Sequence, residues 1–247
     1  MHVVFDASMH TNTIARMELE RDLKLAVERH ELRIQYQPIV LLSSGRVVEV
    51  EALVRWHHPA RGLIEPADFI PIAEDTPVIM QIGHWVLDEA CGQVAAWQTK
   101  FPSLRPLTVS VNLSPRQFQQ TSLVDEVKRT LHESGLDPFC LKLEITEGVI
   151  MRDVEATIPK LWALKELGVQ IAIDDFGTGY SSLAYLKRLP LDILKIDRSF
   201  VSGLGSDKED TAIVRAIIST AKSLDLAVTG WGIETSEQAD LLRSWGL

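Results

Sequence analysis

Five extended-looking runs in this 247-residue chain each carry, at or near the carboxyl end, a side chain that binds cations or handles protons. They hold Glu51 in Val50–Arg55, Asn112 in Val109–Asn112, Glu144 in Leu143–Glu147, the pair Asp174–Asp175 after Ile171–Ile173, and Lys195 in Ile193–Asp197. In a parallel barrel the carboxyl ends of all strands open onto one face, so residues scattered in sequence converge there. Several oxygen donors with one lysine at such a mouth describe a divalent-cation site.

Two adjacent carboxylates, Asp174 and Asp175, repel each other unless a cation sits between them. Gly177 and Gly179 permit a tight loop near a ligand, and Ser181 and Ser182 can cap a following helix; the alternative is an acidic turn that only caps that helix. A kinase reading of Asp175-Phe176-Gly177 fails, because no glycine-rich nucleotide loop and no His-Arg-Asp loop accompany it. Glu144 and Glu147 cannot share a face of a regular strand. Separate roles follow: Glu144 as cation ligand, Glu147 as anchor for a neighbouring loop or as a plain surface residue. Asn112 offers a carbonyl oxygen suited to a hard cation, or else satisfies buried backbone. Lys195 lies in an apolar strand, where a lysine needs a carboxylate partner. Close to cations its pKa should be depressed, making it a partner for an activated water; a structural ion pair is the competing reading. Arg55 can meet a phosphodiester through its guanidinium fork. His57 and His58 lack partners at zinc-site spacing and read as loop.

The elements that must position these groups follow from periodicity. Apolar positions from Ile14 to Arg29 mark an amphipathic helix, after a strand tail at Val3–Phe5. Strands at 32–40 and 46–56, joined by Ser43-Ser44-Gly45, are too close for a parallel crossover and form an antiparallel hairpin. Helices then fit 83–98, 122–134, 154–167, 181–188, 208–223 and 236–244, with strands at 107–113, 141–146, 169–174, 192–196 and 225–229. Such alternation argues for a parallel sheet with helical crossovers, closed as a barrel or wound flat.

The length matches one barrel domain of about 250 residues. A hydrophobic share of 46% supports a large core. No signal peptide or membrane-spanning run stands out. Cys91 and Cys140 have neither metal nor disulfide spacing and read as buried thiols in a reducing cytoplasm. A net charge of −9 without a basic cluster excludes a general nucleic-acid binder.

In this order, Tyr36-Gln37-Pro38-Ile39, Glu51-Ala52-Leu53-Val54-Arg55-Trp56, Phe69–Glu74, Asn112-Leu113-Ser114, Glu144–Glu147, Asp174–Ser182 and Leu194–Asp197 resemble the EAL domain, the cyclic di-GMP phosphodiesterase module of bacterial signalling proteins. The resemblance covers about residues 20–247. Phe5–His10 is similar to the junction joining an upstream GGDEF domain to an EAL domain. The resemblance therefore implies a lead-in at 1–31 from a longer multidomain protein and an EAL domain at 32–247. It implies a modified TIM (β/α)8 barrel with one antiparallel strand, in which Glu51, Asn112, Glu144 and Asp174 hold one Mg²⁺ or Mn²⁺. Asp174 would be shared and Asp175 would serve a second ion. Lys195 would orient or deprotonate the attacking water, and Glu147 would brace the 176–182 loop near a homodimer contact. Gln37, Leu53 and Arg55 would line the dinucleotide groove. The implied reaction is in-line attack of a metal-activated water on one phosphodiester, giving linear pGpG.

Two departures stand out. Where the family has Ala-Glu-Gly-Val-Glu, this chain has Gly230-Trp231-Gly232-Ile233-Glu234; Glu234 is kept, but an indole cannot ligate a cation through oxygen. The family's final strand and helix are also expected to be missing here. An active phosphodiesterase, a cyclic di-GMP receptor that does not cut, and a purely dimerising domain are the three readings this leaves.

Overall fold

The computed structural model describes residues 7–102, 106–179 and 183–247. The strands are β1 (Leu32–Val40), β2 (Val47–His58), β3 (Gly62–Ile64), β4 (Thr108–Asn112), β5 (Leu141–Thr146), β6 (Gln170–Phe176), β7 (Ile193–Ile196) and β8 (Ala227–Gly230). The helices are α1 (Ala7–Ala26), α2 (Pro66–Glu74), α3 (Val78–Lys100), α4 (Pro115–Gln119), α5 (Leu123–Ser134), α6 (Glu147–Arg152), α7 (Val154–Glu166), α8 (Leu183–Leu186), α9 (Arg198–Ser202), α10 (Lys208–Ser223) and α11 (Ser236–Ser244). The expected strand tail at Val3–Phe5 and the residues 180–182 lie outside the described residues.

The expected hairpin is present. β1 runs antiparallel to β2 with Gln37 opposite Glu51, and every later pairing along the main path is parallel. The sheet order is β1-β2-β4-β5-β6-β7-β8, with β3 attached to β2. A doubly wound sheet would reverse its order at a switch point; this one advances strand by strand, as a barrel does. Lys195 on β7 lies 3.4 Å from Glu51 on β2. In a flat sheet these strands would stand about 19 Å apart, at roughly 4.8 Å per spacing, so the sheet is strongly curled. The flat alternative is excluded and the modified barrel stands.

Alternation along the strands builds the interior in two layers. Glu49, Ser110 and Lys142 each lie two residues before Glu51, Asn112 and Glu144 on their own strands, with Ser110 opposite Lys142 and Asn112 opposite Glu144. Lys142 and Glu49 form a buried ion pair in the lower layer. The upper layer gathers the candidate site. Outside the sheet, α3, α5, α7 and α10 cover it with buried residues such as Leu87, Val127, Leu161 and Ile218. The lower half of α1 packs inward through Leu19, Leu23 and Ala26, and Arg16 pairs with Asp75 at 2.6 Å.

Some local expectations are corrected. His57 and His58 are strand residues, because β3 pairs with the end of β2 and places His57 opposite Leu63. His58 is buried, meets Asp22 at 3.3 Å and accepts backbone N–H groups of Ala60 and Arg61. Helix α3 begins at Val78 rather than residue 83. α2, α4, α6 and α9 are short helices that the periodicity did not mark. Cys91 and Cys140 are buried free thiols, as expected. Among the described residues no helix is long and apolar enough to cross a membrane.

Candidate functional site

Each strand delivers its polar residue to the upper layer because it lies an even number of steps from another inward residue. Asn112 is opposite Glu144, and Thr146 is opposite Asp174, on adjacent parallel strands. The Lys195 ammonium occupies the centre. It reaches Glu51 Oε1 at 3.4 Å, Asp174 Oδ2 at 3.2 Å, and Glu144 Oε2 more closely still. The Asn112 amide nitrogen donates to Glu51 Oε1 at 3.0 Å. Glu51, Glu144 and Lys195 are all buried. Five of the expected residues thus converge in one cluster.

Asp175 reaches the cluster by a route that strand alternation does not foresee. Its backbone is left-handed, at φ 54°, and β6 bulges between Ile173 and Phe176 against β7. The extra residue of a bulge re-aims a side chain, and an aspartate tolerates this conformation better than most residues. Burial, then the charges of Asp174 and Asp197, push the Asp175 carboxyl up to about 6. Asp197, present in the seventh-strand motif but given no role from sequence, faces Asp175. It also caps α9, accepting the Ser199 N–H at 2.9 Å. Burial works against its charge, but hydrogen bonds from Ser199 and the backbone of Arg198 outweigh it and hold this carboxyl below its ordinary value. The preference of aspartate for helix N-caps is the signal that marks its position.

Electrostatics set the proton distribution. Burial pushes the Glu144 carboxyl up to about 8 against the pull of Lys195, with Glu51 and Asp174 adding to the rise. For Lys195, burial opposes the charge, but Glu144, Asp174 and Glu51 outweigh it and raise the pKa. The protein's own carboxylates thus act on Lys195 in the direction opposite to that expected of neighbouring cations.

The donor set fits a hard divalent cation. Three carboxylates face one ammonium, and Glu144 Oε1 is buried without a hydrogen-bond partner, the kind of orphan a cation satisfies. The set is not a closed cage. Lys195 holds the space between three carboxylates, and among the described residues no three acidic, histidine or cysteine side chains stand arranged around a metal position.

The remaining expected residues divide around this cluster. Glu147 opens α6 instead of lying in a loop; it is buried, and its Oε2 accepts the Gly177 N–H at 3.1 Å. Gln37 lines a cavity of about 450 Å³ between the end strands β1 and β8, together with Glu51, Lys195, Trp231 and Glu234. Leu53 and Asn112 line a second, more apolar cavity of about 560 Å³ against α2 and α3. Arg55 shares the β2 face of Glu51 and Leu53, yet it is drawn to Glu65 at 3.3 Å and lines neither cavity. Glu234 is exposed and paired with Arg198 at 2.5 Å.

A family model described as "EAL domain" matches residues 20–247. The bifunctional diguanylate cyclase/cyclic di-GMP phosphodiesterase MucR of Pseudomonas aeruginosa is 47% identical over 98% of this chain and 35% of its own length. The cyclic di-GMP phosphodiesterase NbdA of the same organism is 43% identical over 97% of the chain and 30% of its length. The chain thus spans about a third of the length of these curated relatives. Among solved structures, the PaMucR phosphodiesterase in complex with c-di-GMP superposes with a TM-score of 0.89 at 48% identity, covering 93% of this chain and 92% of that one. The EAL enzyme Bd1971 in its cAMP- and cyclic-di-GMP-bound form gives 0.90 at 35% identity, covering 95% and 64%.

Proposed function

Because the chain belongs to the EAL domain family, we propose that it binds cyclic di-GMP and hydrolyses one of its phosphodiester bonds to linear pGpG. The observation that carries the reading is the convergence of Glu51, Asn112, Glu144, Asp174 and Lys195 in one cluster beside an open cavity. Its relatives MucR and NbdA are named cyclic di-GMP phosphodiesterases.

In this reading Glu51, Asn112, Glu144 and Asp174 would hold one Mg²⁺ or Mn²⁺, and Asp174 and Asp175 would serve a second. When bound, such ions stabilise the attacking and leaving oxygens of an in-line displacement. The chain's own groups do the rest. Lys195, held protonated by its carboxylate neighbours, orients the attacking water and balances charge gathering on the phosphate. Gln37 and Leu53 flank the phosphodiester from the two cavities. Arg55 takes part only if it leaves Glu65 for the phosphate. Glu147 braces the loop that follows Asp175.

The same reading places a lead-in at 1–31 and the domain at 32–247, with a GGDEF or sensor domain upstream in a longer protein. The partial coverage of MucR supports this. It includes a homodimer with its contact near the 176–182 loop, and a reducing cytoplasm, in keeping with two buried free thiols.

One observation favours a second reading. Trp231 lines the cavity wall beside Glu51 and Lys195, where a carboxylate would serve the second ion. A receptor that holds cyclic di-GMP without cutting it would result. Chromatography of cyclic di-GMP after incubation with the protein and Mg²⁺ or Mn²⁺ separates the two. Metal-dependent pGpG supports the phosphodiesterase, and binding without product supports the receptor.

A further inference from the structure

Trp231 follows the last residue of β8 and is the one aromatic side chain among the described residues lining the cavity between β1 and β8. It is 39% exposed, a large apolar surface left open beside a charged cluster. Its backbone is fixed on both sides. The Trp231 N–H donates to the Ile196 carbonyl at 3.3 Å, extending the β7–β8 ladder by one residue. Gly232 then turns at φ +79°, so close to Arg198 that an added Cβ would stand 2.4 Å from that residue's Cγ. Arg198 is in turn tied to Glu234. This turn presents the indole to the cavity.

Across the cavity the wall is β1, where Gln37 is exposed and lies opposite Glu51 in the β1–β2 register. Its amide offers both a donor and an acceptor. The cavity thus combines a flat π surface, an amide that can read a polar edge, and on its floor the cluster that would hold a phosphodiester. A planar heteroaromatic ring attached to a phosphate satisfies all three. A bare phosphate would leave the indole unused, and a purely apolar ligand would cover the Gln37 amide without giving it a partner.

We propose that Trp231 is a nucleobase platform: its indole stacks on one guanine of bound cyclic dinucleotide, with Gln37 at the base edge. The inference rests on the cyclic di-GMP reading above and adds a residue that trades a cation-binding oxygen for base stacking. Its effect is on ligand retention, so it is read in binding and requires no turnover.

The test is calorimetric titration of cyclic di-GMP in EDTA into the wild-type chain, Trp231→Phe and Trp231→Ala, with thermal midpoints measured in parallel. Ligand quenching of tryptophan fluorescence is compared between wild type and Trp231→Phe. The platform requires Trp231→Ala to bind about 10- to 100-fold more weakly, Trp231→Phe to stay close to wild type, and much of the quenching to vanish in Trp231→Phe. Equal affinity of Trp231→Ala and wild type overturns the platform and leaves the cyclic di-GMP reading intact. Failure of the folded wild-type chain to bind cyclic di-GMP overturns both.

Discussion

The carboxylate of Glu147, at the first residue of α6, accepts the backbone N–H of Gly177 at 3.1 Å. That contact ties the end of β5 to the turn after Asp174 and Asp175. In the proposed reading the glutamate would have a positioning role, holding the backbone that aims Asp174 and Asp175.

Glu147→Ala is expected to lower turnover about tenfold or more while costing about 1.5–3 kcal/mol of stability, the range for a hydrogen bond to a charged group. Gly179→Ala should reproduce much of this, because its new Cβ would stand 2.6 Å from Glu147 Oε1 and displace that side chain. The double variant should then be little worse than either single one. Additive losses in a double-mutant cycle would show that the two act independently.

Lys195 is buried among three carboxylates, so Lys195→Met leaves like charges facing one another. A loss of about 3–5 kcal/mol in EDTA is expected, as for a broken buried pair. Mg²⁺ or Mn²⁺ should raise the melting temperature of this variant more than that of wild type, because a cation can take the place of the ammonium. A smaller metal-induced shift in the variant, measured by scanning fluorimetry, would contradict the proposed metal position.

The lower layer supplies a contrast. Lys142→Met breaks the buried pair with Glu49 and should cost a similar 3–5 kcal/mol. Turnover per folded molecule should be nearly unchanged, because the pair sits one layer below the site. A large fall in kcat without a loss of stability would show that this layer belongs to the chemistry.

Glu126 gives a pH signature remote from the site. Burial raises its carboxyl above the ordinary 4.5, opposed by His84 and Arg129 and reinforced by Asp88. Between the ordinary and the raised value the native state holds more protons than the unfolded chain, so stability falls as pH rises through that window. Glu126→Gln removes this slope. Urea midpoints measured upward from about pH 4 should therefore fall for wild type relative to the variant; parallel curves would sink the assignment.

Much of this arrangement is legible in the residues themselves. β1 and β5 were expected with their observed bounds, since both are bordered by clear breaks, and the short turn at Ser43-Ser44-Gly45 announces the hairpin. Period-two spacing puts Glu51, Asn112, Glu144, Asp174 and Lys195 on inward faces. The bulge at Asp174–Asp175 is not legible, because it depends on how β6 meets β7. β3 is three residues long and too short to show a period. The amphipathic pattern of α2 is interrupted by Pro71, and Val78–Ile82 reads equally as strand or helix until Pro77 is placed before a helix start. The direction of the Lys195 shift depends on which charges end up around it, a tertiary fact. So does the diversion of Arg55 to Glu65.

The central claim is metal-dependent hydrolysis at the carboxylate cluster, and the direct measurement is the rate of pGpG formation from cyclic di-GMP by wild type and Glu51→Ala. Both are assayed in Mg²⁺ and in EDTA, with folding checked by circular dichroism. The account predicts product from wild type only with the metal, and a rate in Glu51→Ala lower by about a thousandfold, equivalent to about 4 kcal/mol of transition-state stabilisation. Equal rates in the two proteins, or turnover that survives EDTA, would contradict it.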